Sequence, residues 1–213
     1  MEPDFNYLAA VLTTDELTER LANRKDYLPE TTEATVAELK FRKYEFSYEE
    51  LRAIQADIDR QRQNAASVDS RRGFYNSNTK KVVVKDPEAP LLYSRQALNI
   101  FTVLCGALFG SILLAINVNK TENRTKTIWV VVFGVLFTAL QVFIGEAVMP
   151  KSSGSYAFLW GFAAAGIMDG FFWKKFIGYA TFYRARPIWA PLIIAIVIFG
   201  LLIAAIIVGG NAG

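Results

Sequence analysis

The chain has 213 residues, 53% of them hydrophobic, and a formal net charge of +3. That charge is too small for a nucleic-acid surface. The absence of histidine removes His-ligated metals and every mechanism with a histidine base. The single cysteine, Cys105, lies in an apolar run as a small hydrophobe, and it allows neither an internal disulfide nor a Cys-rich metal site.

The charges are split along the chain. Only Glu122, Glu146 and Asp169 among the 20 acidic residues follow position 97, against eight basic residues there. Such a step in composition indicates two regions in two solvents: a soluble head and a membrane part. Met1 to Leu12 lacks the basic flank and apolar core of a signal peptide, so the first apolar run is expected to act as an uncleaved anchor.

The head, residues 1–64, reads as three short helices. Thr13 and Glu16 have capping-box spacing, in which hydroxyl and carboxylate each take a free N–H. They predict a helix over 14–23 with Leu17 and Leu21 inward. Pro29 suits a first helical turn and Glu30 and Glu33 complement the dipole, which predicts a second helix to about Lys43 with Val36 and Leu39 inward. Ser47 and Glu50 form a second capping box, opening a helix to about Asn64 that carries Leu51, Ile54 and Ile58. So thin a core needs support from the membrane, a partner or a second copy.

The stretch Asp26-Tyr27-Leu28-Pro29-Glu30, with Glu33-Ala34, Glu38-Leu39 and Arg42, resembles an N-terminal helical module of uncharacterised multi-span membrane proteins of the Bacteroidota. That module reads Tyr-x-Pro-Glu-x-x-Glu-Ala, then Glu-Leu and a basic residue. Thr31, Thr32 and Thr35 depart from its usual alanines. The resemblance implies a bacterial inner membrane and carries no mechanism.

Residues 65–96 read as a linker. Val82-Val83-Val84 has strand character, but a lone strand is not stable. Pro87 and Pro90 favour extended chain, and the basic residues here suit anionic headgroups.

The membrane part, residues 97–210, is expected to be an all-α bundle of four transmembrane helices, near 97–118, 127–148, 156–176 and 188–208. In the third segment the clean apolar run stops at Met168, and Asp169 precedes Trp173 and Lys174-Lys175, an interfacial anchor. A run so short also suits a re-entrant helix. With four crossings and the head in the cytoplasm, the basic residues divide seven against seven; with the third segment re-entrant they divide eleven against three. The positive-inside rule thus favours three crossings and helix length favours four. The reading retained is four, head inside, in a cell inner (plasma) membrane.

Gly106 and Gly110 in the first segment, and Gly161, Gly166 and Gly170 in the third, are the candidate helix-packing positions, because small residues let backbones approach closely in lipid. The candidate intramembrane polar residues are Gln141, Glu146 and Asp169, with Asn99 and Asn117 near the ends of the first segment. The sharper reading is a proton or cation path through Glu146 and Asp169. The plainer one places both at helix ends, paired with Lys151 or Lys174. Two Asn-x-Thr sequons, at Asn119 and Asn123, matter only in a eukaryotic secretory lumen. Ser111 has no intramembrane lysine and Asp169 no second aspartate, so an intramembrane hydrolase site is not expected. The function expected is therefore non-catalytic: an accessory, assembly or structural subunit with no cofactor or metal. Its partners are the lipid bilayer and other membrane subunits or itself. The alternative is a small oligomeric transporter or channel using the polar residues of the second and third helices.

Overall fold

The computed structural model describes residues 3–68, 77–121, 124–148 and 155–210. The protein is all-α, 76% helical. Four helices build the head: α1 (Phe5–Ala10), α2 (Thr14–Ala22), α3 (Pro29–Phe41) and α4 (Tyr48–Ala66). Both capping boxes form, Thr13 with Glu16 and Ser47 with Glu50. The sequence reading missed α1, although Asp4 carries its start signal by accepting hydrogen bonds from the N–H groups of Asn6 and Tyr7, both 3.1 Å.

The buried face of α3 also differs from expectation. Thr31, Thr32, Ala34, Thr35 and Leu39 turn inward, while Val36 lines an open groove with Leu51. The threonines are tolerated inside because their hydroxyls are used: Thr32 donates to the Leu28 carbonyl at 3.1 Å and Thr35 to the Thr31 carbonyl at 2.7 Å. Thr31 donates to the carboxylate of Asp86 at 2.6 Å, and the Leu28 N–H donates to the same oxygen at 2.9 Å. Asp86, fully buried, thus caps the start of α3 through Leu28, 58 residues earlier.

The stretch expected as a linker is, from residue 77 onward, a packed strap. The main-chain N–H groups of Lys85 and Asp86 donate to the Asp26 carbonyl on the head side. On the other side β1 (Leu91–Leu92) pairs in parallel with β2 (Arg184–Ala185), and Val83 bridges Tyr183. The strand partner that Val82–Val84 lacked on paper therefore lies about a hundred residues away in sequence. Val82, Val84, Leu92 and Tyr183 are all buried here. Replacing Asp86 by alanine strands the Leu28 N–H and the Thr31 hydroxyl; we expect a loss of about 2–3 kcal/mol in unfolding free energy, read from thermal or denaturant melts in detergent.

The first apolar segment is not one helix. It forms α5 (Arg95–Cys105) and α6 (Ala107–Lys120), broken at Gly106. Gly106 has φ 89 and ψ 168, a region essentially closed to side chains. The halves fold back on each other. A Cβ on Gly110 would lie 2.0 Å from Thr102 Oγ1, and the rings of Phe101 and Phe109 are 5.6 Å apart. At the open end the Asn117 side chain closes the hairpin: its Oδ1 accepts from the Tyr93 N–H and its Nδ2 donates to the Tyr93 carbonyl, both 2.8 Å. Residues 93 and 117, which a spanning helix would hold roughly 36 Å apart, are in hydrogen-bond contact. The expectation of a crossing over 97–118 is corrected accordingly.

Helix α7 (Arg124–Val148) runs back along α6, seated where Gly134 meets Ser111. Its 25 residues reach roughly 37 Å. Within it, Thr125–Glu146 is long and apolar enough to cross a membrane, and most of that apolar stretch is not buried by the rest of the protein. Helix α8 (Ser155–Ile167) continues through a π-helical turn over Met168–Trp173 into α9 (Lys174–Phe176). It packs on α5, where a Cβ on Gly161 would lie 2.9 Å from the Val103 backbone. Last comes α10 (Trp189–Gly210), apolar all round: Ile193, Ile194, Ile196, Val197 and Leu201 are exposed, whereas Ala195 is buried.

Candidate functional site: a buried ion pair at the base of the hairpin

Ser94 accepts a hydrogen bond from the Ala97 N–H at 3.2 Å and so starts α5, which makes Arg95 its first residue. The π turn sets the other partner. Its wider i→i+5 spacing shifts the facing of the residues it contains relative to an α-helix, and Asp169 lies within it. Arg95 Nε and Nη2 donate to the two carboxylate oxygens of Asp169, each at 2.7 Å. The side chains are 6% and 14% exposed. This is the bidentate geometry in which an Arg–carboxylate pair is strongest.

Two tyrosines complete the cluster. The Arg95 guanidinium lies 4.2 Å from the Tyr179 ring centroid, a cation–π contact, and the Tyr179 hydroxyl donates to the Asp169 main-chain carbonyl at 2.9 Å. Burial pushes the Tyr183 phenol up to about 12, an effect the nearby Arg95 charge only partly offsets. Tyr183 therefore stays neutral across the physiological range. Arg95 Nη1 is buried and finds no hydrogen-bond partner among the described residues. Beside the pair is a gap of about 10 Å³ lined by Leu98, Asn99, Leu114, Met168 and Trp173, with room for one water at most.

Chemically this arrangement is a clamp. A guanidinium does not release its proton, and both oxygens of Asp169 are occupied. The pair ties the start of the hairpin to the end of the α8 helix. The plainer expectation for Asp169 is corrected in its partner: the cation is Arg95, and Lys174 is exposed.

The other predicted residues are placed elsewhere. Lys126, near the start of α7, lies 5.7 Å from the ring of Phe176, close to the Asp169 turn. Glu146 is 20 residues further along the same helix, roughly 30 Å away, and is exposed. Gln141 lies between them, half-buried. Glu146 and Asp169 are thus not brought together. Among the glycines, Gly106 makes the hairpin turn and Gly110 and Gly161 sit at close helix contacts, while a Cβ on Gly166 or Gly170 would meet nothing within 4 Å. Asn117 closes the hairpin and Asn99 lines the small gap. Lys151 lies outside the described residues.

Sequence reasoning missed Arg95 as a site residue and counted it as flanking charge. The available signal was a lone aspartate in one apolar segment with an arginine at the mouth of another. Among the described residues, no group of acidic residues and cysteine could hold a metal ion. No family model, curated protein or solved structure matches the chain.

Proposed function

We propose that the protein is a non-catalytic subunit of a bacterial inner membrane, holding a helical head at the membrane boundary and docking other membrane proteins, or itself, through the head and its apolar helix faces. The observation that carries this reading is the clamp. Arg95 and Asp169, both nearly closed to solvent, are spent on each other, and the strap fixes the head to the same place. The outward faces of α7 and α10, rich in exposed aliphatic side chains, suit lipid or a neighbouring span.

The hairpin also supports a topology. If residues 95–120 enter and leave on one side, then α7, the helix over 155–176 and α10 are three crossings. The turn after α6 and the loop over 177–188 then join the head. Thirteen basic residues fall on that side (Arg71, Arg72, Lys80, Lys81, Lys85, Arg95, Lys120, Arg124, Lys126, Lys174, Lys175, Arg184 and Arg186) and one, Lys151, on the other. The seven-to-seven tie disappears, and the head is cytoplasmic by the positive-inside rule.

The test is gentle detergent extraction from native membranes, affinity pull-down and mass spectrometry. A stoichiometric larger complex is the expected result. A homo-oligomer with nothing else bound, together with a flux abolished by Glu146→Gln, would replace this reading by the transporter one.

A further inference from the structure

The hairpin gathers cations that the sequence scatters. Arg186 lies 4.9 Å from the ring of Tyr93, which is bonded to Asn117; Lys120 follows three residues later at the end of α6. Lys126 lies over Phe176, and Lys175 is 5.3 Å from the ring of Phe171 next to Lys174. These contacts set Arg186, Lys126 and Lys175 near the base of the hairpin, and with Lys120 at the end of α6 and Lys174 next to Lys175 in the chain they make a collar of five cations. Lys120, Lys174 and Lys175 are exposed, and Lys126 and Arg186 are half-buried. Among the described residues none of the five is in an ion pair. Just beyond the collar, at the starts of α7 and α10, Trp129 and Trp189 are 63% and 70% exposed. Exposed tryptophan one turn from a ring of lysines is the pattern of a headgroup boundary.

We infer that this collar binds the phosphates of anionic lipid headgroups in the leaflet that the hairpin enters. The inference rests on the membrane reading above and adds the identity of the lipid. Cations at headgroup level gain most from negative lipid phosphates, and the rings of Phe176 and Phe171 hold Lys126 and Lys175 in place there.

The two exposed tryptophans supply the test. The full-length protein is reconstituted in phosphatidylcholine vesicles containing either brominated phosphatidylglycerol or brominated phosphatidylcholine, and tryptophan quenching is measured. The expected result is stronger quenching by brominated phosphatidylglycerol at equal mole fraction, with a preference that shrinks as salt is raised. Each cation contributes about fivefold to that preference, so a variant carrying Lys120→Gln, Lys126→Gln, Lys174→Gln and Lys175→Gln loses nearly all of it. Lys25→Gln with Lys40→Gln, on the head, leaves it unchanged. Equal quenching by the two lipids, a preference indifferent to salt, or an equal loss in the head variant overturns the collar while leaving the membrane reading intact. Quenching by neither lipid overturns both.

Discussion

Replacing Arg95 or Asp169 singly with alanine is expected to cost about 3–5 kcal/mol of stability, because each change leaves the other partner as an unmatched buried charge. The bidentate pair is nearly closed to solvent, so water cannot replace the missing partner at little cost. In a detergent melt both single variants should unfold far below the parent and accumulate poorly in membranes. The double variant Arg95→Met with Asp169→Leu should recover most of the loss, since apolar replacement of a whole buried pair is close to neutral. Asp169→Asn separates the readings of this residue. A clamp predicts lower stability and abundance. A conducting carboxylate predicts normal abundance with lost flux. Single alanine variants that melt within about 0.5 kcal/mol of the parent would remove the clamp from the account.

The second large effect is expected at Gly106. Space is not the constraint, since a Cβ there would meet nothing within 4 Å. The constraint is the backbone: at φ 89 and ψ 168 an alanine is strained by about 1–3 kcal/mol. Relief of that strain favours joining α5 and α6 into one helix. Residues 95–120 in a single helix would reach roughly 39 Å, enough to cross. Gly106→Ala should therefore both destabilise the protein and redirect part of it to another topology. In a Cys105→Ala background, Asn119→Cys should resist a membrane-impermeant maleimide in intact cells and react after permeabilisation. Lys151→Cys should react from outside. Adding Gly106→Ala should expose part of the Asn119→Cys population to the outer reagent. Full labelling of Asn119→Cys in intact cells without that change would mean that the first segment spans and the chain crosses four times.

Local signals were legible where the responsible residues are neighbours in sequence. Thr13 with Glu16 and Ser47 with Glu50 announced helix starts, and Leu17, Leu39, Ile54 and Ile58 announced the inward faces. The hairpin was not legible, because hydropathy sums a window and a single glycine hardly lowers it. A run of 22 residues that turns back has the same average as one that crosses. Its trace was the charge tie, which no assignment of the third segment removed in favour of four crossings. Arg95 and Asp169 belong to different helices 74 positions apart, and no periodicity joins them. Asp86 capping α3 is the same kind of case: Leu28 has no capping side chain of its own, and its cap arrives from a distant strap.

That strap also sets a schedule for biosynthesis. Helices α1 to α3 pack chiefly on one another and can form as they leave the ribosome, whereas α4 also leans on the strap over 77–82. Leu91 and Leu92 must wait for Arg184 and Ala185, about ninety residues later, which at roughly 5–20 residues per second is an interval of about 5–20 seconds. During it Val83 lacks its bridge to Tyr183 and Leu91–Leu92 has no strand partner, while the helices from α5 to α9 are still being made. The nascent chain is most exposed to proteases and holding chaperones in that window, and it ends only when the loop before α10 emerges and closes over the strap.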